Sequence, residues 1–389
     1  MGMNVENDMN DQIYRRLRKE IDERMPVGMP GGEGDADISI LKLLFSPEES
    51  EVAIHLSILP EKISRIHKRL ARHGFSISLH ELRRMLDSMV SKGAIMGGAL
   101  FSKKDNYSLA QFAIGIYEFQ VNRQTPEFAR LAESYHEKSL IGEFFREDRP
   151  VQLRTIPVGK SFGSDRRIST YDDITRIVLD ADEPVAVIDC VCKETRDLLA
   201  EPCRLSDVRN NCIMFGDGAR YYLDRKIPSA RKVSKEELFE LLEKLREIGF
   251  VLQPANSRKP GFICACCGCC CNVLRGYKKL PRPSLYFSSN YYAEILSASC
   301  TGCKKCVARC QMDAIEIVDA KAVVNLDRCI GCGNCVAACR KNAIRLIEKA
   351  RIKRPPFTSR NLYLKILLKK HGIGRLPGIL VKLLFGRKI

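Results

Sequence analysis

The chain has 389 residues and eighteen cysteines, none of which precedes Cys190. Eight of the cysteines form two copies of one pattern. Cys300, Cys303, Cys306 and Cys310 are repeated by Cys329, Cys332, Cys335 and Cys339, and both copies read C-x2-C-x2-C-x3-C. Each copy runs on to an Ala-Ile pair, Ala314-Ile315 and Ala343-Ile344. Thiolates bind soft metals, so iron–sulfur clusters and zinc are the candidate occupants. Three thiolates in a tight loop can wrap one face of a metal–sulfide cube. The small residues Gly302, Gly331 and Gly333 let the backbone approach it. Two complete copies of the pattern are hard to assemble from zinc pairs.

The spacing resembles that of the bacterial dicluster ferredoxins. That resemblance implies crossed ligand sets for two 4Fe–4S clusters. Cys300, Cys303, Cys306 and Cys339 would hold one, and Cys329, Cys332, Cys335 and Cys310 the other. Gln311 and Arg340 stand where such ferredoxins usually have proline.

The other ten cysteines fall into two groups. Cys190, Cys192, Cys203 and Cys212 give C-x-C-x10-C-x8-C, the four thiolates that one cubane or one zinc ion needs. Cys190 closes an apolar run, so two ligands are expected to project from a strand end into a loop. Downstream, Cys264, Cys266, Cys267, Cys269, Cys270 and Cys271 place six cysteines within eight residues. No buried core needs that density, and no disulfide scheme accommodates it easily. A metal cluster is the natural reading. The ten thiolates could hold two cubanes with two cysteines spare, or build one unusual, site-differentiated cluster.

Together these motifs resemble the ferredoxin-tailed 4Fe–4S proteins of anaerobic bacteria and archaea. The shared features are a winged-helix-like start, a C-x-C…C…C segment running into Met214-Phe215-Gly216, a Cys-Cys-Gly-Cys-Cys-Cys run and a dicluster tail. They cover roughly Ile38 to Leu346. The resemblance implies cofactors more firmly than a reaction: two 4Fe–4S clusters, and one or two more in the middle of the chain. One-electron transfer between redox partner proteins in anaerobic metabolism is the expected role. Two alternatives stand beside it, a redox-responsive winged-helix regulator that binds DNA and a reductase acting at the Cys-rich centre. No nucleotide-phosphate loop, flavin fingerprint or hydrolytic triad stands out, so a reductase would depend on the metal centre itself.

Composition narrows the setting. The chain is 45% hydrophobic and 29% charged, as folded proteins are. Clustered C-x2-C and C-x-C spacings in a long chain argue against a disulfide-stapled secreted protein. Met1 to Asn10 has no apolar core of a secretory signal, and no run of about 18 apolar residues offers a membrane span. A cytoplasmic protein with reduced thiols is expected. The net charge is +17, and Arg345 to Ile389 holds thirteen Lys or Arg against one acid, Glu348. In that tail Lys365, Lys369 and Lys370 interrupt Leu362, Ile366 and Leu367. Lys382 interrupts Ile379, Leu380, Leu383, Leu384 and Phe385. Such stretches resemble interfacial helices, which would add a peripheral contact with the inner face of an anionic membrane. The other reading is a helix docked on its own chain or on a partner.

The elements that must position these residues give an α+β organisation. An N-terminal helix and Gly/Pro-rich linker (1–37) precede a winged-helix-like domain (38–110). A helical connector (111–150) leads to a Cys-rich α+β domain (151–291), the dicluster domain (292–349) and the basic tail (350–389). Ser46-Pro47-Glu48-Glu49 and Ser78 with Glu81 are helix starts. Helices at Glu61–His73 and Ser78–Lys92 and strands at Ala94–Met96 and Tyr107–Leu109 make the winged-helix pattern. Arg65, Lys68, Arg69 and Arg72 on one helix, with Arg83 and Arg84 on the next, are its candidate DNA contacts, and Glu81 works against them. In the middle domain, strands at Leu153–Val158, Val185–Cys190, Cys212–Gly216 and Phe250–Gln253 flank helices at Asp172–Ala181 and Lys235–Ile248. Their order predicts a split βαβ sandwich.

Overall fold

A computed structural model describes residues 2–97, 105–144, 149–158, 169–372 and 388. The chain divides into two compact units. One comprises Met1–Glu143, Arg220–Pro228 and Leu364–Ile389, the other Phe144–Ala219 and Ser229–Tyr363.

In the first unit a long helix, Gly2–Arg24, packs on helices Ala36–Leu44 and Pro47–Ile54. The segment expected to be a linker is irregular but packed, with Met25, Val27 and Met29 buried. Both expected helix starts are capping boxes, at Ser46 with Glu49 and at Ser78 with Glu81. Strand β1 (Glu61–Lys62) precedes helices Ile63–Arg72 and Leu79–Ser91, and strands β2 (Met96–Gly97) and β3 (Asn106–Ser108) follow. The three strands form an antiparallel sheet in the order β1-β3-β2. β1 was expected to be the first turn of a helix, and its pairing with β3 takes it out of one. The helical pattern expected from Ala110 to Phe145 is broken, because Thr125 caps a new helix, Pro126–Tyr135.

The second unit is built on a five-stranded sheet. β4 (Val185–Ile188), β5 (Cys212–Phe215), β6 (Arg231–Val233), β7 (Val251–Pro254) and β8 (Phe262–Cys266) lie in the order β6-β4-β5-β8-β7, with every neighbouring pair antiparallel. This corrects the expected split βαβ. β8 was not foreseen, and it enters between β5 and β7. Leu153–Val158 contributes only isolated bridges, two of them to the β7 edge. Val185, Val187, Ile213, Phe215, Leu252 and Ile263 share one buried face with Leu238, Leu242 and Leu245 of the helix Lys235–Ile248. That helix has the bounds expected of it, set by the Ser234–Glu237 capping box and a left-handed Gly249.

The dicluster segment follows as two two-stranded antiparallel sheets, the inner one a hairpin. β9 (Tyr291–Ile295) pairs with β12 (Ile344–Glu348), and β10 (Ile315–Val318) with β11 (Lys321–Val324). In the helix Ser359–His371, Leu362, Ile366 and Leu367 are buried. The apolar face of the first tail stretch is therefore covered by the chain itself. The second stretch lies outside the described residues. No helix among the described residues is long and apolar enough to cross a membrane.

A buried ion pair ties the start of the second unit together. Arg154 donates to Asp172, and Asn290 donates to the other Asp172 oxygen at 2.9 Å. Removing one partner of such a pair leaves a buried charge uncompensated. Asp172→Ala is expected to lower the unfolding free energy by roughly 3–5 kcal/mol in anaerobic denaturant titrations. A loss below about 1 kcal/mol would show that solvent reaches Arg154.

Candidate metal centres

The two ferredoxin loops are built alike. Gly302 and Gly331 are left-handed, at φ 65° and 67°, and so are the residues before the short helices Lys305–Arg309 and Asn334–Ala338, Lys304 and Gly333. An added Cβ would come within 2.3 Å of the Ala320 carbonyl oxygen at Gly302, and within 2.2 Å of the Tyr291 carbonyl oxygen at Gly331. These turns need glycine both for their conformation and for the close approach.

Backbone N–H groups meet the sulfurs in matched pairs. Ala314 donates to Cys310 Sγ at 3.2 Å and Ala343 to Cys339 Sγ at 3.3 Å. Ala322 donates to Cys300 Sγ and Ala293 to Cys329 Sγ, both at 3.4 Å. The donors of Ala322 and Gly302 hold the Cys300 thiol below its ordinary range, because they favour the thiolate.

Cys310, Cys329, Cys332 and Cys335 line one small pocket with Met312, Ala314 and Ile330. Burial pushes Cys332 up to about 12 and raises Cys335 well above its ordinary value, so these thiols ionise only with a compensating positive charge at hand. Cys306 has Cys300 and Cys303 as its neighbours. Cys303 is exposed, and Cys300 and Cys339 are half-buried. Both donor sets have the soft-ligand chemistry that an iron–sulfur cluster needs.

The ten thiols of the middle domain are not grouped by their order in the sequence. Cys203 joins Cys267, Cys269 and Cys270, with its Sγ 3.7 Å from those of Cys267 and Cys269. Cys269 and Cys270 Sγ are 3.8 Å apart, and all four sulfurs lie within 4.8 Å of one another. The other six neighbour one another in a row running Cys190, Cys192, Cys271, Cys266, Cys264, Cys212.

The division follows the alternation of a strand. Ile263 and Ala265 of β8 enter the core under the helix Lys235–Ile248, and Cys267 and Cys270 join them there. Cys264 and Cys266 enter the opposite core, with Cys271, Cys306, Cys329 and Cys335. Cys212 reaches the row because it pairs with Cys264 across β5 and β8. Cys190 and Cys192 do not project into a loop. Cys190 stands just before the helix Val191–Leu198, and Cys192 lies in its first turn.

Within the row, hydrogen bonds from Cys212 and Cys266 hold Cys264 well below its ordinary value, and those from Cys192 and Cys266 do the same for Cys271. Gln253 pairs with Cys264 from β7 and is fully buried, and both polar atoms of its amide lack a hydrogen-bond partner. A buried amide left unpaired costs about 1–3 kcal/mol. Beside six thiols, such an amide suits a site built to receive a polar occupant.

Three side chains of the ferredoxin segment reach the middle domain. Arg309 donates to the carbonyls of Glu247 and Ile248, where the helix Lys235–Ile248 ends. Asn334, the first residue of the short helix in the second repeat, donates to the Gly249 carbonyl at 2.7 Å. Gln311 accepts from Gly268 N–H at 2.8 Å, inside the Cys-rich turn. The residue in the usual proline position thus joins the turn that carries Cys267 and Cys269. Sequence reasoning noted Gln311 only as a departure and missed Gln253 altogether, since a lone buried amide leaves no pattern.

The basic residues proposed for DNA are partly committed elsewhere. Arg69 is buried and holds both oxygens of Glu61, one at 2.7 Å. Arg83 pairs with Asp105. The β1 residue Glu61, not foreseen as a partner, withdraws Arg69 from any phosphate.

A family model described as a 4Fe-4S dicluster domain matches residues 293–340. Nothing matches among curated proteins or among solved structures. With eight thiols in the two matched loops, the chain is an iron–sulfur protein with mixed α and β structure.

Glycine substitutions test how closely the two Cys-rich segments are joined. A Cβ at Gly268 would lie 2.2 Å from the Gln311 carbonyl oxygen, whereas one at Gly261 meets nothing within 4 Å. Gly268→Ala is expected to destabilise by about 1–3 kcal/mol and to speed bleaching of the visible absorbance, and Gly261→Ala to leave both nearly unchanged. Equal behaviour of the two variants would show that the turn is free to move.

Proposed function

We propose that this protein is a one-electron carrier in which the ferredoxin segment and the six-thiol row form a single relay. The observation that carries this reading is the shared core. Cys264, Cys266 and Cys271 of the row pack with cysteines of both ferredoxin loops in one apolar cluster. Bound 4Fe–4S clusters would supply one-electron exchange, with potentials set by hydrogen bonds to sulfur and by exposure.

In this reading Cys300, Cys303, Cys306 and Cys339 hold the outer cluster, and Cys329, Cys332, Cys335 and Cys310 the inner one. The six-thiol row holds the further iron–sulfur centre, since six donors exceed the four that one cubane or one ion takes. Gln253 would donate to that centre and raise its potential. Electrons enter at the outer cluster, where Cys303, Lys304 and Lys305 are exposed, and the basic rim suits an acidic redox partner.

The element order and the β1-β3-β2 sheet support a winged-helix label for the first unit. With Arg69 and Arg83 already paired, protein docking suits it better than DNA. Binding of the tail to a membrane through its first stretch would require Leu362, Ile366 and Leu367 to leave their seats, so we place the protein's partners in solution.

Protein purified without oxygen is expected to contain at least eight iron and eight acid-labile sulfide per chain from the ferredoxin segment alone, since each cubane holds four of each. Chemical reduction should give EPR signals of magnetically coupled clusters. Lys304→Glu with Lys305→Glu should slow electron exchange with an acidic donor about tenfold at low salt, and much less at high salt. Zinc without sulfide in the ferredoxin loops would refute the relay, and unchanged exchange in the charge-reversed variant would move the entry point elsewhere.

A further inference from the structure

We propose that Cys203, Cys267, Cys269 and Cys270 form a separate site for a single tetrahedral metal ion, zinc or iron, and not part of a sulfide-bridged cluster. Around one ion with metal–sulfur bonds of about 2.3 Å, tetrahedral geometry sets neighbouring sulfurs about 3.8 Å apart. The Cys203–Cys267, Cys203–Cys269 and Cys269–Cys270 sulfurs are 3.7, 3.7 and 3.8 Å apart. In a cubane each thiolate binds a different iron, and the four ligand sulfurs are driven apart to about 6 Å. All four sulfurs lying within 4.8 Å leave no room for that cube.

The molecule supplies its own comparison. Among the described residues, this quartet is the one group of three or more metal-ligating side chains whose donor atoms all come within 4.8 Å of each other. The eight ferredoxin thiols, in loops matched to a 4Fe-4S domain, do not crowd in this way. Four thiolates in a tetrahedron select zinc or iron among the common ions.

The surroundings suit a dianionic tetrathiolate. Cys203, Cys267 and Cys270 are buried, and Cys269 is half-buried. Lys193 is fully buried, and its ammonium donates to the carbonyls of Ser206 at 3.0 Å and Val208 at 2.6 Å. It thereby holds the loop that carries Cys203, and among the described residues no carboxylate answers its charge. Its charge is met by those two carbonyls and by the face of the Phe250 ring, whose centre lies 4.6 Å away. Bound by the quartet, the ion would pin the loop after the helix Val191–Leu198 to the turn after β8. Those segments are far apart in sequence, and the same turn accepts Gln311. Each thiol that binds releases its proton to solvent.

The test measures zinc, iron and acid-labile sulfide per chain in the full-length protein, in Cys203→Ser and in Cys269→Ser, all purified without oxygen. Each variant is expected to lose one metal ion and no sulfide. Loss of zinc identifies a zinc site and loss of iron a one-iron site, and either upholds the proposal. Loss of about four irons together with four sulfides, or no loss of metal, overturns it. Where a variant fails to fold, the unaltered protein decides. Zinc-edge X-ray absorption should show four sulfurs at about 2.3 Å with no metal neighbour, or Mössbauer spectra should show one iron per chain outside any cluster. All iron in sulfide-bridged clusters, with no zinc present, overturns the proposal. These measurements leave the ferredoxin iron count untouched, so the carrier reading stands or falls separately.

Discussion

The alternation of β8 is the constraint on which the middle of this protein depends. A strand sends successive side chains to opposite faces, so a run of cysteines in β-structure cannot gather at one point. Ile263 and Ala265 hold the strand against the helix-covered face, and that commits Cys264 and Cys266 to the other. Beyond the strand the chain turns, and Cys267, Cys269 and Cys270 return to the first face, where Cys203 meets them. Two chemically different environments thus arise from eight consecutive residues. A one-residue slip of β8 would exchange the cysteines with the core residues and destroy both sites at once.

Around that strand the ferredoxin segment is held by polar side chains at the ends of its short helices. Arg309 ends the short helix of the first repeat and Asn334 begins that of the second, and both reach the turn at Glu247 to Phe250. The guanidinium satisfies carbonyls that a helix C-terminus leaves without partners. Gln311 closes a third link through Gly268. The contacts are directional, so they fix the orientation of the inner loop toward the Cys-rich turn, which apolar packing alone would leave looser. The N–H···S bonds inside the loops favour thiolate over thiol, and burial of Cys332 and Cys335 works against it. A bound cluster would resolve that opposition by supplying positive charge.

In the first unit, charge is used mainly for internal pairing. Glu61 holds Arg69, and Glu49 accepts from Lys92 at 2.7 Å while its other oxygen accepts from Ser46 N–H. Lys370 donates to the Met25 carbonyl at 3.0 Å, and Lys388 to Glu20 at 2.9 Å. A strongly basic composition therefore does not translate directly into a surface for phosphate, since several of the cations are already answered.

What the sequence determined by itself was whatever is encoded locally. The eight-cysteine repeat was legible because its ligands lie within eleven residues of each other in each copy, and its glycines mark the turns. The Ser46, Ser78 and Ser234 capping boxes each span four residues and placed their helices correctly. β8 was hidden because cysteine can serve as an apolar core residue or as a ligand, so Phe262–Cys266 showed no alternation of apolar and polar types. Whether Cys203 belonged with Cys190 or with Cys267 depended on the order of the strands and on a loop closed by Lys193. The withdrawal of Arg69 depended on a two-residue strand, β1, paired with β3. Those features rest on contacts between residues tens of positions apart, where no spacing rule operates, and only the tertiary structure could decide them.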